Sequence, residues 1–332
     1  MYFANSERYQ SLQYRKIKNS GLILPPLSLG CWHNFGDDTP IQQQQAVLRT
    51  AFDHGINHFD LANNYGTPYG SAERNIGHFL KSDFKTHRDE LIISTKAGWD
   101  MWPGPYGQGG SSRKYLISSL DQSLQRLGLN YVDIFYSHRY DPVTPLEETA
   151  KTLADIVQQG KALYVGISSG YTPELTLKLI ELLRAYHVPL TLHQPLYNFF
   201  DRQIEQGLTE TANKEGFGII TFSPLAQGLL AGRYLNGVPE DSRIGRGSRY
   251  LQSEHLVALK LQQIQQLNEI AKRRDQTLAQ LSLSWVLRDE QITSTIIGAS
   301  RPEQIIENLK ALQNTMFSAD ELTQIDTILN TP

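Results

Sequence analysis

Eight short segments rich in apolar and β-branched residues recur along the chain, and each is followed by a longer amphipathic segment. Strands that are apolar on both faces are typical of a parallel sheet covered by helices. We predict strands at 27–32, 57–62, 91–97, 132–138, 162–169, 190–196, 217–223 and 294–300. We predict helices between and after them at 41–54, 72–81, 112–127, 146–159, 173–186, 201–215, 277–289 and 302–313. Eight such units favour closure, so the predicted fold class is α/β, a (β/α)8 TIM barrel.

Further segments extend this basic pattern. Residues 13–17 (QYRKI) and 22–26 (LILPP) flank a turn at 19–21, which predicts an N-terminal β-hairpin that covers the bottom of the barrel. Extra helices are predicted at 254–274 and 318–329.

Two long connections, 98–111 and 224–252, follow the third and seventh predicted strands. Both leave the carboxyl ends of strands, where barrel enzymes place their chemistry. No linker divides the sequence, so we expect residues 1–332 to form a single domain.

Composition excludes several classes of protein. The 332 residues carry a net charge of −3 and show no basic stripe, so no nucleic-acid partner is expected. No run of about 18 apolar residues is present, so no membrane partner is expected. The first ten residues lack the apolar core of a signal peptide. The single cysteine, Cys31, cannot form an internal disulfide, which fits a cytoplasmic protein.

Polar side chains at the ends of apolar strands are the first candidates for chemistry. Asp60 lies in HFDLA and Lys96 ends LIIST, on neighbouring predicted strands. A buried ammonium needs a partner, which Asp60 could supply. Taken alone, Asp60 could equally cap a turn, and Lys96 could be an exposed strand-end lysine.

Tyr65 and His138 could complete the group. Tyr65 follows Asp60 by five residues, and a neighbouring Lys96 would lower its pKa toward the working range of a proton donor. His138 ends the fourth predicted strand and could orient a carbonyl oxygen. Each residue alone could instead be structural.

The clearest cofactor signal lies near the C-terminus. No strand–GxGxxG–helix unit and no GxxxxGK[ST] occurs. In IIGASRPEQIIEN, a strand leads through Ser300 and Arg301 to Pro302, the expected first residue of a helix. Such an N-terminus and the arginine could bind a phosphate, although an ordinary capped helix would have the same pattern.

Several motifs in order resemble those of aldo-keto reductases over almost the full chain. They are FDLANNYG, ISTKAG, YSHR, GISS, HQPLYN, FSPLAQGLLAGRY and GASRPEQIIEN. The resemblance implies an NADP(H)-dependent reductase of small aldehydes with the catalytic residues Asp60, Tyr65, Lys96 and His138.

The same resemblance implies a set of cofactor-binding residues along the strand ends. They are Trp32, Asp60, Ser168, Gln194, Phe222, Ser223, Leu225, Gln227, Gly228, Arg233, Arg243, Gly298, Ser300, Arg301, Gln304, Glu307 and Asn308. Many relatives carry a lysine–serine pair in the last stretch, where this chain has Gly298-Ala299. A 2′-phosphate would therefore depend on Ser300 and Arg301.

Within the family, the chain resembles the branch that contains potassium-channel β subunits and bacterial reductases. The insert MWPGPYGQGGSSRKYL and DIFYSHRYD are similar to a bacterial subgroup that reduces L-glyceraldehyde 3-phosphate and also methylglyoxal. Arg139, Arg113 and Lys114 are candidates for the substrate phosphate. The branch implies a homo-oligomer, a tetramer or larger.

Two alternatives differ in kind from this reading. A metal-dependent hydrolase could use His58, His138 and His193, but no His-x-His or HExxH occurs, so no metal is expected. A cofactor-sensing protein is the other alternative. Channel β subunits lack a histidine at the position of His138, so its presence here favours an enzyme.

Overall fold

A computed structural model describes residues 2–235 and 258–330 of the chain. Two short strands pair near the N-terminus, β1 (Arg15–Lys16) and β2 (Ile23–Leu24). The remaining described strands are β3 (Leu27–Gly30), β4 (His58–Asp60), β5 (Ile92–Ala97), β6 (Val132–Arg139), β7 (Ala162–Ser169), β8 (Leu192–His193), β9 (Gly218–Thr221) and β10 (Ile292–Ile297). The described α-helices are α1 (Ile41–Asp53), α2 (Ser71–Lys81), α3 (Arg113–Leu127), α4 (Leu146–Gln158), α5 (Pro173–Arg184), α6 (Leu208–Glu215), α7 (Ala258–Arg273), α8 (Leu278–Leu287), α9 (Pro302–Leu309) and α10 (Ala319–Asn330).

The strands β3 to β10 form a closed barrel in which every neighbouring pair is parallel. Sequential strands are neighbours all the way round, and β10 closes the circle against β3. The predicted (β/α)8 barrel is therefore confirmed. All carboxyl ends point to one rim, which brings residues distant in sequence to one mouth.

The predicted N-terminal hairpin is also present, with Arg15 opposite Leu24 and Lys16 opposite Ile23. Ile17, Leu22 and Leu24 are buried against side chains inside the barrel, including Ile134 and Ile220. The Arg15 guanidinium donates to the carbonyls of Ile292 and Leu287 at 2.6 and 3.0 Å. These contacts place the hairpin across the amino ends of the strands and leave the opposite rim for the site.

Three predicted boundaries are wrong for identifiable reasons. The strand predicted at 190–196 is paired only at β8 and by one bridge at Leu196, because Pro195 has no N–H for a ladder. The helix predicted at 201–215 begins only at Leu208. The Asn198 side chain accepts the N–H groups of Phe200 and Asp201, and this turn delays the α-helix, so that residues 203–205 form only a short 3-10 helix before it.

The last predicted strand, 294–300, is instead β10 and ends at Ile297. Residues 299 and 300 leave the sheet because their carbonyls accept hydrogen bonds from Asn34 and Gln43. The following helix is α-helical as α9 and continues through a 3-10 turn at 310–313. The extra helices at 254–274 and 318–329 correspond to α7 and α10; residues 254–257 lie outside the described part.

A large aromatic ring fills the middle of the barrel. Tyr136 of β6 is fully buried, and its ring lies beside Gly166 of β7. A Cβ on Gly166 would lie 2.5 Å from two ring carbons of Tyr136, so only glycine leaves room for this ring.

In the described ranges, no helix is long and apolar enough to cross a membrane.

Candidate active site

Asp60, Lys96 and His138 project from three neighbouring strands at the carboxyl rim of the barrel. Asp60 is the last residue of β4, Lys96 lies one residue before the end of β5, and His138 lies one before the end of β6. Tyr65 lies in the loop that follows β4. The barrel thus brings together all four residues that the sequence nominated.

Asp60 and Lys96 form a buried ion pair. The Lys96 Nζ lies 2.6 Å from Asp60 Oδ2 and donates a second hydrogen bond to the Leu61 carbonyl at 2.7 Å. The two side chains are 0% and 3% exposed, so water does not screen their charges. Burial acts to lower the pKa of Lys96, but Asp60 and Tyr65 together raise it above its ordinary value. Lys96 is therefore a cation at any physiological pH.

Tyr65 is the third member of this cluster. Its hydroxyl lies 3.3 Å from Lys96 Nζ, and its ring stacks on Trp32 with the centroids 5.6 Å apart. Burial raises the pKa of Tyr65 above 10.0, and the Lys96 charge only partly opposes the rise. The expected lowering of this pKa is thus wrong in its net direction, because burial outweighs the cation. Tyr65 remains a phenol and keeps a proton to donate.

His138 faces Tyr65 across the mouth. The two ring centroids are 6.0 Å apart, and the Trp99 ring lies 6.3 Å from that of His138. Burial, with smaller effects from Lys96 and Arg139, holds the pKa of His138 well below 6.5. Its buried Nδ1 has no hydrogen-bond partner in the described structure. The ring is therefore neutral, and a neutral imidazole has one nitrogen that donates and one that accepts a hydrogen bond.

The first cofactor candidates continue the circle of strand ends beyond His138. Ser168 lies at the end of β7, and its hydroxyl donates to the Gln194 carbonyl at 2.7 Å. The Gln194 amide donates to Asp60 Oδ1 at 3.0 Å, which links this part of the rim directly to the ion pair. Phe222 follows β9 and forms a bridge with Leu196. These side chains line the half of the mouth opposite β5.

The segment after Phe222 turns sharply. Ser223, Ala226 and Gln227 all have positive φ, between 46 and 59°, which is rare for residues with a side chain. The Gln227 side chain donates to the Ser223 hydroxyl at 3.1 Å. The remaining candidates of this segment are Leu225, Gly228 and the exposed Arg233; Arg243 lies outside the described residues.

The last group of candidates surrounds the N-terminus of α9. Pro302 is its first residue, as predicted, and Arg301 is exposed directly before it. The Gln304 side-chain oxygen accepts from the Ser300 N–H at 2.7 Å and from the Arg301 N–H at 3.3 Å. That oxygen is therefore committed to holding the turn. Glu307 is paired with Lys310 at 2.7 Å, while Asn308 is buried.

Two glycines leave open space at the rim of the barrel. Gly228 and Gly298 both face open space, where a Cβ would meet no atom within 4 Å. They come from the loops after β9 and β10, which are neighbours in the barrel. The residues present are thus compatible with a dinucleotide that lies over these two strand ends.

Several residues that shape this rim were missed from the sequence. Asn34 and Gln43 hold residues 299 and 300 by hydrogen bonds of 3.0 and 2.6 Å. Trp99, 43% exposed, packs edge-to-face against His138, and the Arg139 guanidinium lies over its ring at 4.8 Å. Their positions depend on long-range folding of loops, although a tryptophan directly after LIISTKAG was a visible signal.

The three cations considered for a substrate phosphate have different surroundings. Arg139 lies beside the mouth, where its Nε donates to the Gly98 carbonyl at 2.7 Å. Arg113 forms an ion pair with Asp155, which links the two outer helices α3 and α4. Lys114 is exposed on α3. Arg139 is therefore the cation of the three that is placed next to the catalytic candidates.

The histidines of the hydrolase alternative do not converge. His58 is hydrogen-bonded to Ser28 and Ser94, and His193 to the Ser168 carbonyl. Within the ranges 2–235 and 258–330, no group of three His, Cys, Asp or Glu side chains could hold a metal ion.

Comparisons with known proteins agree with this architecture. The profile of the Aldo/keto reductase family matches residues 26–330. The chain is 59% identical over 330 residues to a protein named L-glyceraldehyde 3-phosphate reductase of Escherichia coli O157:H7. The aligned region covers 98% of this chain and 95% of that protein. The protein of the same name from Escherichia coli strain K12 matches with the same identity and coverage. The chain is a member of the Aldo/keto reductase family of oxidoreductases, which generally use NAD(P)H.

Proposed function

We propose that this protein reduces small aldehydes to alcohols with NADPH, that L-glyceraldehyde 3-phosphate is its main substrate, and that methylglyoxal is also accepted. The family and the names of the two relatives support the reaction and the substrate. The observation that matters most is the position of Lys96 Nζ, which contacts both the Asp60 carboxylate and the Tyr65 hydroxyl.

In this proposal Tyr65 is the proton donor. NADPH, when bound, would supply a hydride for the carbonyl carbon of the substrate. As negative charge develops on the carbonyl oxygen, the Tyr65 O–H donates its proton to that oxygen and becomes a phenolate. Lys96, held by Asp60, stabilises the phenolate, and a neutral His138 orients the oxygen by a hydrogen bond.

The cofactor would be held by the arc of strand ends from β7 to β3. Ser168 and Gln194 would bind the carboxamide, and Trp32 and Phe222 would flank the nicotinamide. The loop from Ser223 to Gly228, with Arg233 and Arg243, would follow the pyrophosphate. The segment from Gly298 to Asn308 would bind the adenosine end, with Ser300 and Arg301 at the 2′-phosphate. Since the Gln304 oxygen already accepts two N–H groups, its contribution there is to hold the turn.

Arg139 is the proposed site of the substrate phosphate. Its guanidinium lies on the Trp99 ring, and that ring neighbours His138. A three-carbon aldehyde whose oxygen contacts Tyr65 and His138 would extend its phosphate toward this cation. A guanidinium suits a phosphate because its donors form a fixed fork.

NADPH-consumption kinetics would test the proposal most simply. Purified protein is mixed with NADPH and L-glyceraldehyde 3-phosphate, methylglyoxal or unphosphorylated glyceraldehyde, and the series is repeated with NADH. We expect the highest kcat/KM for the phosphorylated aldehyde with NADPH. Equal kcat/KM for both forms of glyceraldehyde would refute the substrate assignment. Tight NADPH binding without turnover of any aldehyde would indicate a cofactor-sensing protein instead.

The remaining proposals concern the domain organisation, oligomeric state and location of the protein. We infer one domain over residues 1–332, a homo-oligomer of four or more subunits, and a cytoplasmic location. Light scattering on the purified protein would decide the oligomeric state, and a monomer would refute it.

A further inference from the structure

A line of buried polar side chains continues from Asp60 into the barrel. The Ser94 hydroxyl lies 2.8 Å from Asp60 Oδ1, and His58 Nε2 lies 2.9 Å from that hydroxyl. On the other side of the ring, His58 Nδ1 lies 2.8 Å from the Ser28 hydroxyl, which lies 2.7 Å from that of Ser294. The four residues beyond Asp60, namely Ser94, His58, Ser28 and Ser294, are all 0% exposed. The line therefore crosses four neighbouring strands without contact with water.

The carboxylate determines the direction of every hydrogen bond in this line. Ionised Asp60 can only accept, so the one hydroxyl proton of Ser94 must be donated to it. Ser94 must then accept from His58, which therefore has its proton on Nε2. The bare Nδ1 accepts from Ser28, and Ser28 accepts from Ser294. One charged acceptor thus selects a single tautomer of His58.

Asp60 is consequently held by different donors on its two oxygens. Oδ1 accepts from Ser94 at 2.8 Å and from Gln194 at 3.0 Å, while Oδ2 faces Lys96 at 2.6 Å. Rotation of the carboxylate would break all three contacts. Ser94 is itself fixed by His58, because a serine hydroxyl without this partner could turn to another acceptor.

We propose that Ser94 and His58 are positioning residues of the reaction, an inference that rests on the proposed function. They fix the Asp60 carboxylate so that Lys96 is held beside the Tyr65 hydroxyl. Neither residue touches the substrate. They act on Tyr65 indirectly, through the Asp60 carboxylate and the Lys96 ammonium.

Removal of Ser94 has a predictable electrostatic consequence. The negative charge on Asp60 becomes less dispersed and offsets more of the Lys96 charge at the Tyr65 oxygen, and the orientation of the carboxylate beside Lys96 is less fixed, so the phenolate of Tyr65 loses stabilisation. The other groups that face Tyr65 are His138, neutral because burial lowers its pKa, and the thiol of Cys31, whose pKa burial raises. The pKa of Tyr65 should therefore rise further, and kcat should fall while cofactor affinity is retained.

The kinetic test compares Ser94→Ala, His58→Leu and His58→Gln with Thr295→Val. Thr295 offers a matched control because its buried hydroxyl bonds Thr221 of the neighbouring strand at 2.7 Å, outside the line to Asp60. For Ser94→Ala we expect kcat about 10-fold lower. The high-pH limb, where Tyr65 loses its proton, should move upward by roughly half a unit to one unit. NADPH affinity should stay within twofold.

The two substitutions of His58 separate positioning from packing. His58→Leu should behave like Ser94→Ala, whereas His58→Gln retains a donor toward Ser94 and should recover most of kcat. If the inference is right, Thr295→Val leaves the position of the pH limb unchanged. An unchanged limb and kcat in Ser94→Ala would overturn the positioning role, while normal wild-type turnover would leave the proposed function intact.

A second measurement does not depend on activity. The ring nitrogens of ¹⁵N-labelled histidine report the tautomer of His58 in the free protein, with His58→Gln as the assignment control. We expect a neutral ring with its proton on Nε2 at pH 6.5, because burial lowers the pKa of His58 to about 4. The charged groups nearest to it are Asp60 and Lys96. A charged ring or a proton on Nδ1 would overturn the proposed line, whichever aldehydes the protein reduces.

Discussion

Replacement of Lys96 by methionine removes the charge between Asp60 and Tyr65 and nearly preserves the volume of the side chain. The ammonium lies 3.3 Å from the Tyr65 oxygen. At an effective dielectric constant of about 20, Coulomb's law gives about 5 kcal/mol between this cation and a full phenolate charge. Because the phenolate is only partly formed in the transition state, we expect about half of this to be lost. The corresponding fall in kcat is roughly 10²-fold.

The same substitution should also lower the free energy of unfolding. Removing one partner of a buried ion pair costs about 3–5 kcal/mol, because the other charge stays buried without compensation. Ser94 and Gln194 still donate to Asp60, so we expect a loss near the lower end, about 3 kcal/mol.

A double variant separates these two effects. In Asp60→Asn/Lys96→Met both charges are gone, so the free energy of unfolding should return to within about 1 kcal/mol of wild type. The rate should stay low, because nothing then stabilises the Tyr65 phenolate. Urea denaturation and NADPH oxidation measure the two quantities on the same samples. Recovery of kcat in the double variant, or a wild-type kcat in Lys96→Met, would refute this reasoning.

Three further predictions concern other parts of the barrel. Arg139→Gln should lower kcat/KM for phosphorylated glyceraldehyde by roughly 10–100-fold and leave the unphosphorylated aldehyde within twofold; a parallel fall for both would exclude a phosphate contact. Gly166→Ala should lower the free energy of unfolding by about 1–3 kcal/mol, since its Cβ would lie 2.5 Å from the Tyr136 ring, and an unchanged urea midpoint would contradict this. Burial lowers the pKa of His58 and of His193 from 6.5 to about 4, so the unfolded chain takes up protons first and stability falls as pH decreases from 6.5 toward 4. The titration of each histidine should lower the free energy of unfolding by about 2 kcal/mol at pH 5 relative to pH 8. A His58→Gln variant whose free energy of unfolding has the same pH dependence as that of the wild type would contradict the contribution of His58.

The barrel could be predicted from the sequence because its strands are apolar on both faces and punctuated by amphipathic helices. This periodicity is local, and eight repeats leave few alternatives. The boundaries failed where a single side chain overrides the pattern, as Asn198 does before α6 and Pro195 does after β8. Such effects depend on how one turn closes and not on average hydrophobicity.

The candidate catalytic residues could be nominated because each is a polar residue at the end of an apolar strand. Their electrostatics could not be predicted in the same way. Lys96 was expected to lower the pKa of Tyr65, but the outcome depends on how deeply the hydroxyl is buried, which only the packed barrel determines. Ser94 and His58 were also beyond reach as a pair, since their link to Asp60 depends on the register of β4 and β5.

The central claim, that Tyr65 is the proton donor of an NADPH-dependent aldehyde reductase, is tested most directly by Tyr65→Phe. This change removes the hydroxyl that lies 3.3 Å from Lys96 and keeps the ring that stacks on Trp32. We predict that kcat for L-glyceraldehyde 3-phosphate falls at least about 10²-fold, while the Kd for NADPH stays within twofold. Reduction of the aldehyde at the wild-type rate by this variant would contradict the account.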